Sequence, residues 1–141
     1  MGVKDYEIID HTADIGVRVS GDDLEDLFIK TAAAMFDVMV TSKPNLIPSI
    51  NVPIEVKANS TDELLVKWLQ ELLYIFDTRH LVLSKFFIDK ISETSLTGGA
   101  MGLKYDKTRH EMTRQIKAVT YHMISAERRQ DGWHAQVIFD I

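Results

Sequence analysis

Two apolar stripes at helical spacing, set among short alternating runs, leave this chain few folds to choose from. Leu24, Leu27, Phe28, Ala32, Met35, Phe36 and Met39 recur with the period of one helix face, and Leu64, Leu65, Trp68, Leu69, Leu72 and Phe76 do the same further on. Gly21-Asp22-Asp23 opens the first helix, where Asp22, Asp23, Glu25 and Asp26 complement the positive end of its dipole, and the stripe runs out near Val40. Ser60-Thr61-Asp62-Glu63 fits a capping box for the second, with Ser60 as cap and Glu63 reaching back to it. A one-sided helix must cover its apolar face with something, and the rest of the chain offers strands.

Tyr6 to Ile9 and Ile15 to Val19 are short β-type runs. In the second, Ile15, Val17 and Val19 share one face, which places Asp14, Gly16 and Arg18 on the other. Thr41 to Ser49, with Pro44, Asn45 and Pro48, reads as a loop; Ile50 to Ala58 alternates as a strand, and Pro53 marks it as an edge. Beyond Leu81 the pattern predicts a β meander: Val82 to Leu96, a turn at Gly98-Gly99, Met101 to Tyr105, a polar loop to Arg114, then Ile116 to Arg128 and Trp133 to Ile141. Asp131-Gly132 signals a hairpin with a type I′ turn between the last two, so they lie antiparallel. The expected architecture is an α+β fold, two helices on a mostly antiparallel or mixed sheet, forming a single domain over 1–141.

Composition narrows the function classes. At 141 residues, 45% apolar and 26% charged, the chain is an ordinary globular domain with one substantial core. It has no cysteine, which excludes disulfides, zinc–thiolate sites and cysteine nucleophiles. The first residues lack an apolar signal core, and no run approaches the length of a membrane span, so the expected location is the cytoplasm. The net charge of −5 argues against a protein that grips nucleic acid unaided. The densest basic group, Lys104, Lys107, Arg109 and Arg114 with Lys117 beyond, is read as a solvated loop, with a partner or RNA contact as the other reading. No G-x-S-x-G elbow is present, and Leu96 to Gly102 lacks the Gly-Lys-Ser/Thr ending of a phosphate loop.

Acidic residues carry the main candidate site. Trp133, Ala135, Val137 and Phe139 share a face of the last run, leaving Asp140 on the opposite one, next to the carboxylate of Ile141. Two neighbouring negative charges on a fixed strand repel unless a cation or donor lies between them. If the two terminal strands pair, Asp14, Asp140 and the carboxylate of Ile141 would meet as an oxygen-only site suited to calcium, magnesium or manganese; surface aspartates at strand ends are the alternative. His11, three residues before Asp14, could orient a carboxylate, while the other histidines show no ligand spacing. Lys117 would balance these acids, reach an anionic partner, or lie along the surface as an edge lysine. Glu71 adjoins the apolar stripe of the second helix and reads most simply as solvated.

Three segments resemble the archease family: Tyr6 to Gly16 with its His-Thr-Ala-Asp-Ile-Gly core, Glu71-Leu72-Leu73-Tyr74, and Lys117 to His122 followed by Asp140-Ile141. Their order spans nearly the whole chain, although Leu81 to Arg114 contributes no motif. The resemblance implies a non-catalytic accessory protein for RNA ligases of the RtcB type, manganese- and GTP-using enzymes that join tRNA halves and repair RNA. In that family the accessory protein speeds guanylylation of the ligase's histidine and allows multiple turnover; a role as chaperone or specificity modulator of a tRNA cytosine-5 methyltransferase has also been proposed. Carried onto this sequence, the resemblance implies a divalent-cation site at Asp14, Asp140 and Ile141, with Lys117, Glu71 and His11 contributing to activation. It implies docking on the ligase rather than direct binding of nucleic acid or membrane. A metal-dependent hydrolase is the remaining reading.

Overall fold

The computed structural model describes residues 6–10 and 13–141. Ten strands and two helices follow in the order β1 Tyr6–Asp10, β2 Asp14–Gly21, α1 Leu24–Met39, β3 Val40–Ser42, β4 Ile50–Lys57, α2 Thr61–Arg79, β5 Leu81–Ile91, β6 Ser95–Lys104, β7 His110–Met112, β8 Ala118–Val119, β9 Ser125–Arg129 and β10 Gly132–Asp140. Every pairing is antiparallel. The strands divide into a five-stranded sheet with path β1-β2-β10-β8 and β9 also on β10, a three-stranded sheet β4-β6-β5, and a two-stranded ribbon β3-β7.

Both helices begin where the sequence says they should. Asp23 caps α1 by accepting from the Asp26 N–H at 2.7 Å, and Ser60 caps α2 by accepting from the Glu63 N–H at 3.2 Å. In each case the carboxylate at the third helical position reaches one residue further back than in a standard capping box: Asp26 accepts from the Asp22 N–H and Glu63 from the Asn59 N–H. α1 packs on β2 and β5, and so joins the two larger sheets. The buried apolar side chains other than Ile138 form one contiguous cluster, in which Trp68 of α2 donates its indole N–H to the Phe28 carbonyl of α1 at 3.0 Å. A fully buried side chain of this size contributes about 2–3 kcal/mol, and the hydrogen bond keeps the indole nitrogen from being stranded.

The meander departs from the expectation in three places. Gly98-Gly99 is not a turn: both residues lie inside β6, the central strand of its sheet, and the chain reverses instead at Ser92-Glu93-Thr94. A Cβ on Gly98 would collide with the Phe87 carbonyl oxygen, so glycine is there for close strand approach. The run Ile116 to Arg128 is broken into β8 and β9, and the polar loop before it contains β7, which pairs with β3 in the stretch expected to be loop. The final hairpin exists, but its two-residue loop is Gln130-Asp131, and positive φ falls on Gly132 (121°) after the loop rather than on two central residues, so the turn is not type I′. Pro53 does lie on an edge, since β4 pairs only with β6. Among the described residues no helix is long and apolar enough to cross a membrane.

Candidate functional site

β2 and β10 run side by side for eight register pairs, from Trp133 opposite Gly21 to Asp140 opposite Asp14. The core face of this ladder is Ile15, Val17 and Val19 with Ala135, Val137 and Phe139, all buried. On the other face the acidic end is partly roofed: Gly16 lacks a side chain, and Ile138 lies over it, 2.9 Å from where a Cβ would sit. Directly opposed residues of an antiparallel pair point to the same side, so Asp14 and Asp140 present their carboxylates together. Like charges in that position repel. Asp14 is half-buried, and its Oδ1 is shielded from solvent with no hydrogen-bond partner, while Asp140 is exposed.

β8 closes the other flank. Ala118 pairs with Asp140, the Lys117 N–H donates to the Asp140 carbonyl at 2.7 Å, and the Ile141 N–H points at the Ala13 carbonyl at 3.5 Å. Lys117 is thereby fixed beside Asp140, but among the described residues its ammonium makes no ion pair, so it does not neutralise the acids directly. α2 lies antiparallel along this flank: Asp62 accepts from the Ala126 N–H, and Gln70 donates to the Val119 carbonyl at 3.4 Å. Glu71, one residue on and exposed, is therefore brought to the same end of the sheet. His11 lies outside the described residues. Sequence reasoning placed Arg114 in the basic group but missed its ion pair with Asp10 at the end of β1, at 2.9 Å; only the fold brings the two segments together.

Hard cations want several oxygen donors. Among the described residues no three His, Cys, Asp or Glu side chains converge on one point, so the described side chains bring two carboxylates, Asp14 and Asp140, to this end of the sheet. Among the described residues the donor set fits such an ion: two carboxylates opposed in register, one carrying a buried oxygen that nothing else satisfies, and no histidine or sulfur beside them.

These features define a small α+β protein with an acidic site at the open end of a terminal strand pair. Comparison with known proteins agrees with this fold. Residues 6–141 match the model of the archease protein family (MTH1598/TM1083). The chain is 39% identical to protein archease of Methanosarcina barkeri over 98% of its own length and 97% of the relative's, and 39% identical to that of Pyrococcus furiosus over 99% and 100%. The solution structure of Methanobacterium thermoautotrophicum protein 1598 superposes with a TM-score of 0.82 at 36% identity, covering 99% of this chain and all of that one. An archease structure from Thermotoga maritima, described as a possible chaperone, shares the fold with a TM-score of 0.65 at 19% identity, over 94% of each chain. The chain belongs to the archease family.

Proposed function

We propose that this protein is a non-catalytic activator of an RtcB-type RNA ligase, acting through the paired carboxylates of Asp14 and Asp140. The observation that carries this reading is their register: two residues far apart in sequence are held face to face at a strand end, at a cost in repulsion and with one carboxylate oxygen unsatisfied. A fold that maintains such a pair without a core role for it supports a binding use. Asp14, Asp140 and an oxygen of Ile141 would hold calcium, magnesium or manganese, and the bound cation would supply positive charge for nucleotide phosphate oxygens. Lys117, exposed beside the pair, contacts the ligase or its nucleotide; Glu71 lies on the adjoining helix face, and His11 precedes Asp14 by three residues in the sequence. Docking this acidic end on the ligase favours the conformation in which GTP reacts with the ligase histidine. The net charge of −5 suits a basic RNA-binding partner, with association that weakens as salt rises.

The test is ligase guanylylation with radiolabelled GTP, with and without this protein. Acceleration at catalytic amounts of the protein supports the reading; an unchanged rate rejects it. A second reading, a chaperone for a client such as a tRNA cytosine-5 methyltransferase, draws on the description of the Thermotoga relative and on exposed apolar side chains at Ile47, Tyr74, Tyr121 and Met123. It predicts client protection that survives removal of both acids.

A further inference from the structure

We propose that the groove between the end of β3 and the loop from Lys104 to Arg109 is a contact site for single-stranded RNA. It would bind phosphates through Lys43, Lys107 and Arg109 and stack a base on Tyr105. The fold assembles this surface from two distant segments: the Lys43 N–H donates to the Arg109 carbonyl at 2.9 Å, which adds Lys43 to the bases of the loop. Lys43, Lys107, Arg109 and Tyr105 line one open groove of about 580 Å³.

Two of the bases are held in place by backbone carbonyls rather than by acids. Arg109 Nη2 donates to the Lys104 carbonyl at 2.9 Å, and Lys104 Nζ donates to the Arg79 carbonyl at the end of α2 at 3.0 Å. Among the described residues none of these four bases forms an ion pair, whereas Arg18, Lys30, Lys67, Arg114 and Arg129 all do. Two acids are near. Asp106 turns its carboxylate onto its own loop, accepting from the Thr108 N–H and hydroxyl, and Glu111 lines the groove. The local balance remains positive on a protein of net charge −5.

An aromatic ring beside the bases favours RNA over a free anion or an acidic peptide. Tyr105 is 38% exposed, and one ring face stacks on buried His110 at a centroid distance of 5.8 Å and an interplanar angle of 26°. His110 is in turn fixed by the Asp106 N–H donating to its Nδ1 at 3.1 Å. A braced aromatic next to uncompensated bases is the combination that single-stranded nucleic acid uses, because every base offers a π-face. Three or four phosphate contacts hold RNA weakly, so the groove adds to binding by a partner rather than replacing it.

The test needs no ligase and does not depend on the activator reading. Fluorescence anisotropy of a labelled 12-nucleotide oligouridylate with the full chain is expected to show binding at low salt. The logarithm of affinity should fall against log salt with a slope of about −2 to −3. Lys43→Glu with Lys107→Glu should weaken binding at least tenfold, roughly, at the lowest salt and flatten the slope. Tyr105→Ala should weaken it about fivefold with the slope unchanged. Lys85→Glu with Lys90→Glu, exposed on β5, changes net charge equally and should leave patch binding nearly intact. Equal loss in both double variants would overturn the site, leaving only a net-charge effect. So would wild-type affinity in the Lys43/Lys107 variant, or displacement of the RNA by inorganic phosphate at matched ionic strength. Thermal melts of all variants separate these outcomes from unfolding.

Discussion

Asp14 and Asp140 face each other as the last register pair between β2 and β10, with Asp14 Oδ1 buried and unbonded. Opposed like charges destabilise a strand pair by about 0.2–1 kcal/mol. Asp140→Asn should therefore raise stability by that amount in the presence of a chelator. With calcium, magnesium or manganese at about 100 times the dissociation constant, wild type should gain about 2.7 kcal/mol and the variant little. Chemical denaturation with and without each ion measures both effects.

Gly16 keeps the roof over the acidic end in place. A Cβ there would lie 2.9 Å from Ile138 Cδ1, the flexible tip of a side chain, so Gly16→Ala should be accommodated with a small loss. Gly16→Val should push Ile138 aside, destabilise the protein by about 1–3 kcal/mol, and weaken the metal-dependent gain as well. Urea titrations of both variants with and without the ion distinguish a steric loss from a site loss.

Gly98→Ala should be far more damaging, because its new methyl would meet the Phe87 backbone and not a movable side chain. A loss of about 3 kcal/mol or more is expected, measured as a drop in the denaturation midpoint.

His110 gives the stability curve a slope near neutral pH. Burial holds its imidazole pKa below the ordinary value, reinforced by Arg109, against an opposing pull from Asp106. The folded state thus binds the proton less readily than the unfolded chain, so stability is complete above about pH 6.5 and falls as pH drops from there toward the lowered folded pKa. Asp106, held below the carboxylate range by its two bonds from Thr108, contributes a separate loss only in more acidic solution. His110→Asn should flatten the first slope and leave the second, as read from denaturation midpoints between about pH 7 and 3.

Much of the fold was legible because helical period and capping are local. The stripes from Leu24 to Met39 and from Leu64 to Phe76, with Asp23 and Ser60 ahead of them, needed no tertiary information. Strand partners are another matter. Alternation put Asp14 and Asp140 off the core face, but parity does not name a partner, and the register that opposes them is set by a whole ladder between the two ends of the chain. Gly98-Gly99 misled because a glycine pair signals a turn when it stands alone; here it accommodates neighbouring backbones, and the turn uses Ser92, whose Oγ accepts from the Thr94 and Ser95 N–H groups. β7 is only His110-Glu111-Met112, too short to carry an alternating pattern, and its strand character comes from pairing with β3. The bases of the Lys104–Arg109 loop were visible, whereas Lys43 joined them only through the fold.

On the proposed function, the Asp14–Asp140 pair does the activating. The direct measurement is the rate of RNA-ligase guanylylation with wild-type protein, Asp14→Asn and Asp140→Asn, each first shown to be folded by its thermal melt. Acceleration by wild type and little or none by either variant is expected, with both variants at least as stable as wild type without metal. Full acceleration by both folded variants would contradict it and move the working surface elsewhere on the molecule.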